Sequence, residues 1–202
     1  MSVSLSRQIR ATLAGNTTLP LAELLLLVDD FVVECSASAE PEVLLFQFEE
    51  ELQNIYDHVL DHSSPLQKEI FLAILYHLCA ILPSTSVIST WFDLVLRPAL
   101  RETKIPTIAT NHAKELIILA LTRTDPNYLE KVRDFRCRLL DLYLFDTYNE
   151  ASEDDVLESV RLDKGERDNQ MRWKENLEDI LLKLGIARPH VSFVLLLHRL
   201  ER

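Results

Sequence analysis

Glycine is scarce in this sequence, with three residues among 202. The three are isolated, which excludes a glycine-rich phosphate loop and leaves few positions for tight hairpin turns. Cysteine is equally rare, and Cys35, Cys79 and Cys137 lie far apart without the CxxC spacing of a metal or redox motif. We therefore predict three free thiols, buried in apolar surroundings in a reducing compartment.

Positive charge and long apolar runs are lacking as well. The chain carries 32 acidic and 21 basic residues, a net charge of −11, which excludes attraction of nucleic acid or anionic membranes by bulk charge. The most apolar stretch, Leu19–Val33, contains Glu23, Asp29 and Asp30 and so is not a membrane span. Met1–Asn16 lacks the apolar run of a signal peptide. These features predict a cytoplasmic protein.

Regularly spaced prolines stand out among the residues that are present. Six of them recur at intervals of 18 to 24 residues, and every second one at 41 to 45. Proline is favoured in the first helical turn, where its missing N–H would have no intrahelical partner. Helical pairs that repeat at this doubled interval are typical of HEAT and armadillo proteins. The pattern predicts an all-α fold, a right-handed α-solenoid of HEAT/armadillo-like helical pairs, as a single domain over residues 1–202 with about four to five pairs. The six prolines are Pro20, Pro41, Pro65, Pro83, Pro106 and Pro126.

Apolar residues at spacings of three and four indicate where the helices lie. Pro98 falls inside one of them, so we expect a kink or break there. Phe71–Leu82 is apolar almost all round and should be central. Residues 149–169 form a polar, acidic insertion. Gly185 should end the last helix but one, Gln170–Leu184. The predicted helices are Val3–Leu13, Pro20–Cys35, Pro41–Leu60, Pro65–Leu82, Ser86–Glu102, Pro106–Arg123, Asn127–Tyr148, Gln170–Leu184 and Arg188–Leu200.

No arrangement typical of an active site emerges from the sequence. Neither a G-x-S-x-G nor an H-E-x-x-H motif is present. Three consecutive acids, Glu49–Glu51, point in different directions around a helix and cannot form an acid/base pair. His58 and His62 are four residues apart and could share a helix face as metal ligands, but no third ligand lies near in sequence. We predict a protein that is not an enzyme, with no catalytic residue, no metal and no cofactor.

Basic residues are concentrated in the middle of the chain. No Lys or Arg occurs between Arg10 and Lys68, whereas residues 97–138 contain nine basic and five acidic residues. One interpretation is an anion-binding patch for a phosphoinositide head group or an acidic partner. The alternative is that these cations stabilise helix C-termini, where the backbone carbonyls carry negative partial charge. The candidates for the patch are Arg97, Arg101, Lys104, Lys114, Arg133 and Arg136.

Three segments resemble the hamartin family, the scaffolding subunits of the tuberous sclerosis complex. Thr90–Leu100 is similar to the helix of the second repeat in that family, with the sequence TWFDLVLRPAL. Arg138–Leu144 resembles the helix that follows, with RLLDLYL. Leu181–Arg199 resembles the family's GI-x-RP helix junction, with LLKLGIARPHVSFVLLLHR. The segments keep the family's order and spacing from about Asp57 to the C-terminus.

This resemblance implies a non-catalytic scaffold domain, the N-terminal helical repeats of a hamartin. In that family the whole protein stabilises tuberin, whose GTPase-activating domain switches off a small Ras-like GTPase and restrains the target-of-rapamycin kinase. It also implies phosphoinositide-dependent recruitment, peripheral to the lysosomal or vacuolar membrane. The chain stops at Arg202, so we expect the tuberin-containing complex to be engaged through regions outside it. The alternative is a general protein-interaction solenoid that binds a peptide or self-associates as a homodimer.

Overall fold

A computed structural model of the chain describes residues 2–16, 19–60, 64–123, 126–149 and 164–185. Every regular element within these ranges is a helix, which confirms the all-α class. In chain order they are α1 (Ser2–Leu13), α2 (Leu21–Ala37), α3 (Pro41–Ile55, continued by a wider π-type turn over Tyr56–Leu60), α4 (Pro65–Leu78), α5 (residues 84–101), α6 (Thr107–Thr122), α7 (Leu129–Asn149, after a 3-10 turn over Pro126–Tyr128) and α8 (Lys164–Lys183).

All six periodic prolines stand at helix starts. Proline fits there because its fixed φ suits the first turn and its missing N–H breaks no intrahelical bond. The pattern in the sequence therefore located the beginnings of six helices correctly. Pro41 and Pro65 are the first residues of α3 and α4, Pro20, Pro83 and Pro106 directly precede α2, α5 and α6, and Pro126 opens the turn before α7.

The start of α4 is also tied to the end of α1. Ser64 and Gln67 form a capping box, in which the Ser64 backbone N–H donates to the Gln67 side-chain oxygen at 2.7 Å and the Ser64 hydroxyl accepts from the Gln67 N–H at 3.4 Å. The Gln67 amide nitrogen then donates to the carbonyl of Leu13, the last residue of α1, at 2.5 Å. One glutamine thus satisfies backbone groups at the ends of two helices.

Helix α5 accommodates Pro98 without ending there. Its middle, Val87–Leu96, is a wider π-type helix, and Arg97–Arg101 continues as α-helix. Proline has no N–H to give the Leu94 carbonyl, four residues earlier, its α-helical bond. The Tyr56 hydroxyl donates to that carbonyl instead, at 2.6 Å. The irregularity expected at Pro98 therefore takes the form of widened turns before it, stabilised by a side chain from the end of α3.

Helices that are next but one in the chain contact one another along the fold. Helix α1 packs against α3, α2 against α4, α4 against α6 and α6 against α8. Ring contacts join α3 to α5 through Tyr56 and Trp91, with centroids 6.4 Å apart, and α5 to α7 through Phe92 and Phe135, at 4.8 Å. Successive helices also touch, so a single apolar core extends from Leu5 in α1 to Leu181 in α8.

Helix α4 is central, as its sequence predicts. Five consecutive side chains, Phe71–Leu75, are buried, which requires neighbours on every side of the helix. The prediction that this segment is buried all round is wrong at His77, whose side chain is 34% exposed and whose Nδ1 lies 3.0 Å from a carboxylate oxygen of Asp29 in α2.

The cysteines are free, but they are not all buried. Cys35 lies in the core, Cys79 is half-buried and Cys137 is exposed. Cys137 falls between Phe135 and Leu139, whose side chains are buried. A residue two positions from each lies on the far side of the helix, so an apolar sequence context did not predict burial here.

Helix α8 begins earlier than its sequence suggested. It starts at Lys164 and not at Gln170, so residues 164–169 of the expected polar insertion are helical. The helix ends as predicted at Gly185, which adopts a positive φ of 76° and donates its N–H to the Leu182 carbonyl at 3.0 Å. The rest of the insertion, residues 150–163, and the predicted helix Arg188–Leu200 lie outside the described residues.

Glu49 in α3 provides a test of burial in this core. Burial raises the pKa of its carboxyl group, and a hydrogen bond from the Ser86 hydroxyl at 3.1 Å opposes the rise. The charged form is thus less favourable in the folded chain than in the unfolded chain. Glu49→Gln keeps an acceptor for Ser86 and should raise the melting temperature at pH 7.

The increase in stability from Glu49→Gln should depend on pH. A raised carboxyl pKa costs stability only above the pKa of the unfolded group, so the difference between variant and wild type should shrink on acidification and vanish below about pH 4. Thermal unfolding at both pH values measures it. Glu50→Gln, at the exposed neighbouring position, is the control, and an equal gain from both variants would contradict the assignment.

Candidate interaction surfaces

The six predicted basic residues lie in the half of the fold that α8 covers. Helix α8 packs against α5, α6 and α7, and its carboxylates pair with basic residues of α5 and α6. The sequence could not reveal this proximity, because α8 is more than 60 residues away from α5 along the chain. Arg97 and Arg101 lie on α5, Lys104 on the turn after it, Lys114 on α6, and Arg133 and Arg136 on α7.

Two of these cations are paired with acids of α8. The Arg101 guanidinium contacts the carboxylate of Glu166. The Lys114 ammonium lies 2.9 Å from a carboxylate oxygen of Asp179, and the Lys114 side chain is only 15% exposed. Each of these two cations is thus partly neutralised by a carboxylate of α8.

Arg97 is engaged by α5 and α8 together. Its guanidinium lies 3.6 Å from Asp93, one turn earlier in α5. It also lies 5.7 Å from the ring centroid of Trp173 in α8, within the range of a cation–π contact. Asp93 in turn pairs with Arg138 of α7 at 3.0 Å.

Two of the candidates, Arg133 and Lys104, are directed to solvent. Arg133 lies 3.9 Å from Glu130 and 3.7 Å from Asp134, but its side chain is 72% exposed, and such surface pairs contribute little. Lys104 is exposed and makes no hydrogen bond or ion pair with the part of the chain that the structure describes. An anion site built on these residues stays a prediction, and Lys104 is the candidate that has no partner among the described residues.

Arginines at helix C-termini account for part of the basic middle. Arg136 donates to the carbonyl of Leu121 at 2.6 Å, at the end of α6. Arg123 donates to the carbonyl of Leu82 at 2.5 Å and to that of Cys79, just past the end of α4. The last carbonyls of a helix have no intrahelical donor, and a cation there also meets the negative end of the helix dipole. These two arginines fit the alternative interpretation of the basic residues.

A buried polar network fixes α8 at the turn between α5 and α6. The Asn176 amide nitrogen donates to the Leu100 carbonyl at 2.7 Å. Arg172 donates to the Ile105 carbonyl at 2.9 Å and to the hydroxyl of Thr110. Among the described residues, Thr110 and Asn176 are the only polar side chains in the buried class. The network satisfies carbonyls where α5 ends and so fixes the position of α8 relative to α5 and α6.

Beside this network, α6 and α8 enclose an open groove of about 360 Å³. Lys114 and Arg172 line it together with Asp168 and Glu175. Its charges are therefore balanced, and they do not select a ligand of one sign.

The histidine pair considered as a metal site is only half described. His58 is exposed, and its Nδ1 lies 2.8 Å from the carbonyl of Asn54, while His62 lies outside the described residues. Among the residues that the structure describes, no group of three His, Cys, Asp or Glu side chains is arranged to hold a metal ion.

Comparisons of the chain with protein-family models, with curated proteins and with solved structures found no match. Across the described helices, none combines the length and the apolar character needed to cross a lipid bilayer.

Proposed function

We propose that this chain is a non-catalytic scaffold domain, a right-handed α-solenoid of HEAT/armadillo-like helical pairs that holds partner proteins on its outer surfaces. The observation that carries the proposal is the succession of contacts from α2 to α4, α6 and α8 over one continuous core. Stacked helical pairs contact each other in this way, and each buries an apolar face on its neighbours. Among the described residues, the buried amide of Asn176 joins α8 to α5.

We further propose that the domain is of the hamartin type. It would act in a tuberous sclerosis complex, supporting GTPase-activating control of a small Ras-like GTPase and target-of-rapamycin signalling at the lysosomal or vacuolar membrane. The support is the resemblance of Thr90–Leu100 and Arg138–Leu144, which fall in helices α5 and α7, and of Leu181–Arg199. The tuberin-containing complex would contact regions outside this chain.

Recruitment to a phosphoinositide membrane would depend on Lys104. A basic residue near an anionic surface contributes on the order of 1 kcal/mol, so reversing its charge should weaken binding at least about fivefold. The measurement is flotation with vesicles that contain phosphatidylinositol phosphates, comparing wild type with Lys104→Glu. Lys131→Glu on α7 is the matched control, because Lys131 is also exposed and makes no ion pair with the described residues. Equal binding by all three proteins would rule the site out.

The alternative function is a protein-interaction solenoid that is indifferent to lipid. It is favoured by the ion pairs of Arg101 and Lys114, which neutralise two of the cations that a membrane would need. It predicts no difference between vesicles with and without phosphoinositide. If the partner is a second copy, the mass measured by sedimentation should rise with concentration.

A further inference from the structure

Helix α2 exposes an apolar face that nothing in the described structure covers. Leu26 is 64% exposed and Val33 is 67% exposed. The two are seven residues apart, so they lie on one face of the helix, two turns from each other. The opposite face is buried through Leu24, Val28 and Phe31. Single exposed apolar residues are ordinary, but these two are aligned on one face, where a single partner helix could contact both.

Acidic side chains flank this face. Asp29 and Asp30 lie between Leu26 and Val33 in the sequence, one toward each edge of the stripe, and Glu23 is exposed nearly two turns before them. Asp29 is oriented by His77 of α4, whose Nδ1 lies 3.0 Å from it. Helix α2 contains no Lys or Arg, so its surface carries negative charge alone.

The charge decides which occupant this face can accept. A second copy of α2 or an anionic membrane would place negative charge against negative charge, which costs several kcal/mol at a close interface. A neutral apolar segment would leave the carboxylates without partners. A helix with apolar residues on one face and Lys or Arg along its edges would satisfy both features.

We propose that the exposed face of α2 is a docking surface for a basic amphipathic helix of a partner protein. Two apolar side chains of that helix, about two turns apart, would pack on Leu26 and Val33. Its basic side chains would pair with Asp29 and Asp30. One helix laid on another buries less area than a standard interface, so binding should be transient and weakened by salt. This inference rests on the proposed scaffold function and specifies one kind of partner for it.

A synthetic Leu/Lys peptide of about five helical turns, with leucines spaced to form one face, serves as the probe. A peptide of the same composition in scrambled order, which cannot form an apolar face, is its control. Fluorescence anisotropy should show binding of the patterned peptide at least about tenfold tighter than the scrambled one, the equivalent of 1.4 kcal/mol. Hydrogen exchange on the wild-type protein should show protection confined to α2.

Two α2 variants test the surface separately. Leu26→Gln/Val33→Gln removes the apolar contacts, and Asp29→Asn/Asp30→Asn removes the charges. Each should weaken binding of the patterned peptide about tenfold or more. The matched control is Ile108→Gln/Leu119→Gln, which changes two apolar residues of α6 that are 61% and 37% exposed, and it should leave affinity unchanged. Circular dichroism checks that each variant remains folded.

Equal affinity for patterned and scrambled peptides would overturn the proposal, as would exchange protection outside α2. So would folded α2 variants that bind like the wild type. The hydrogen-exchange result needs no variant, so it decides the matter even if one of them fails to fold. If the patterned peptide does not bind α2 but vesicle binding still depends on Lys104, the docking surface alone is refuted and the proposed function stands.

Discussion

Replacing Arg172 with methionine should lower the free energy of unfolding by about 2–3 kcal/mol, the cost of losing hydrogen bonds from a charged donor. Arg172 donates to the Ile105 carbonyl at 2.9 Å and to the Thr110 hydroxyl, both at the junction of α5 and α6. Methionine retains the apolar part of the side chain but leaves these acceptors without a donor from α8. Urea denaturation followed by circular dichroism measures the loss.

A matched substitution on the same helix separates this network from a general effect of changing arginine. Arg167 is exposed and makes no hydrogen bond or ion pair with the described residues. Arg167→Met should therefore change the free energy of unfolding by no more than about 0.5 kcal/mol. In the Arg172 variant, hydrogen exchange in α8 should also accelerate. Similar losses in both variants would mean that Arg172 does not hold α8 in place.

Trp91→Ala should have the larger effect, a loss of about 3–5 kcal/mol, because it leaves a cavity in the core. Trp91 is 1% exposed. Its ring centroid lies 5.5 Å from that of Phe71 in α4 and 6.4 Å from that of Tyr56 at the end of α3. The indole therefore fills the space where α3, α4 and α5 meet, and no neighbouring side chain can replace its volume.

Chemical denaturation of Trp91→Ala should be compared with Phe46→Ala. Phe46 in α3 is 69% exposed, so its removal should cost no more than about 0.5 kcal/mol. If Trp91→Ala does not fold, Trp91→Phe should still be less stable than wild type, because it leaves part of the volume empty. A loss at Trp91 no larger than that at Phe46 would contradict the placement of the indole between three helices.

The helix starts could be predicted from sequence because their causes are local. A proline and a capping side chain such as Ser64 act on backbone groups within one turn. The start of α8 was not predicted, because it lacks such a local signal. Lys164–Asp168 is polar, and the first buried side chain of that helix is Trp173. A polar first turn has no apolar stripe to reveal it.

The partners of the cations could not be predicted, because they are distant in the chain. Glu166 lies 65 residues from Arg101, and Asp179 lies 65 from Lys114. Sequence spacing predicts ion pairs between residues three or four apart on one helix, but it does not predict pairs that form only through tertiary packing. The exposure of Leu26 in α2 could not be predicted either. Its sequence context is that of a core residue, and only the positions of the neighbouring helices leave it exposed.

The contact of α6 with α8 is the central claim, and carbodiimide coupling of lysines to carboxylates tests it most directly. Mass spectrometry should find Lys114 joined to Asp179 and Lys183 joined to Glu115, since these groups lie 2.9 and 3.3 Å apart across the two helices. Lys183 and Asp179, 3.9 Å apart within α8, provide an internal positive control. Formation of the link within α8 without either link to α6 would contradict the packing of α8 on α6.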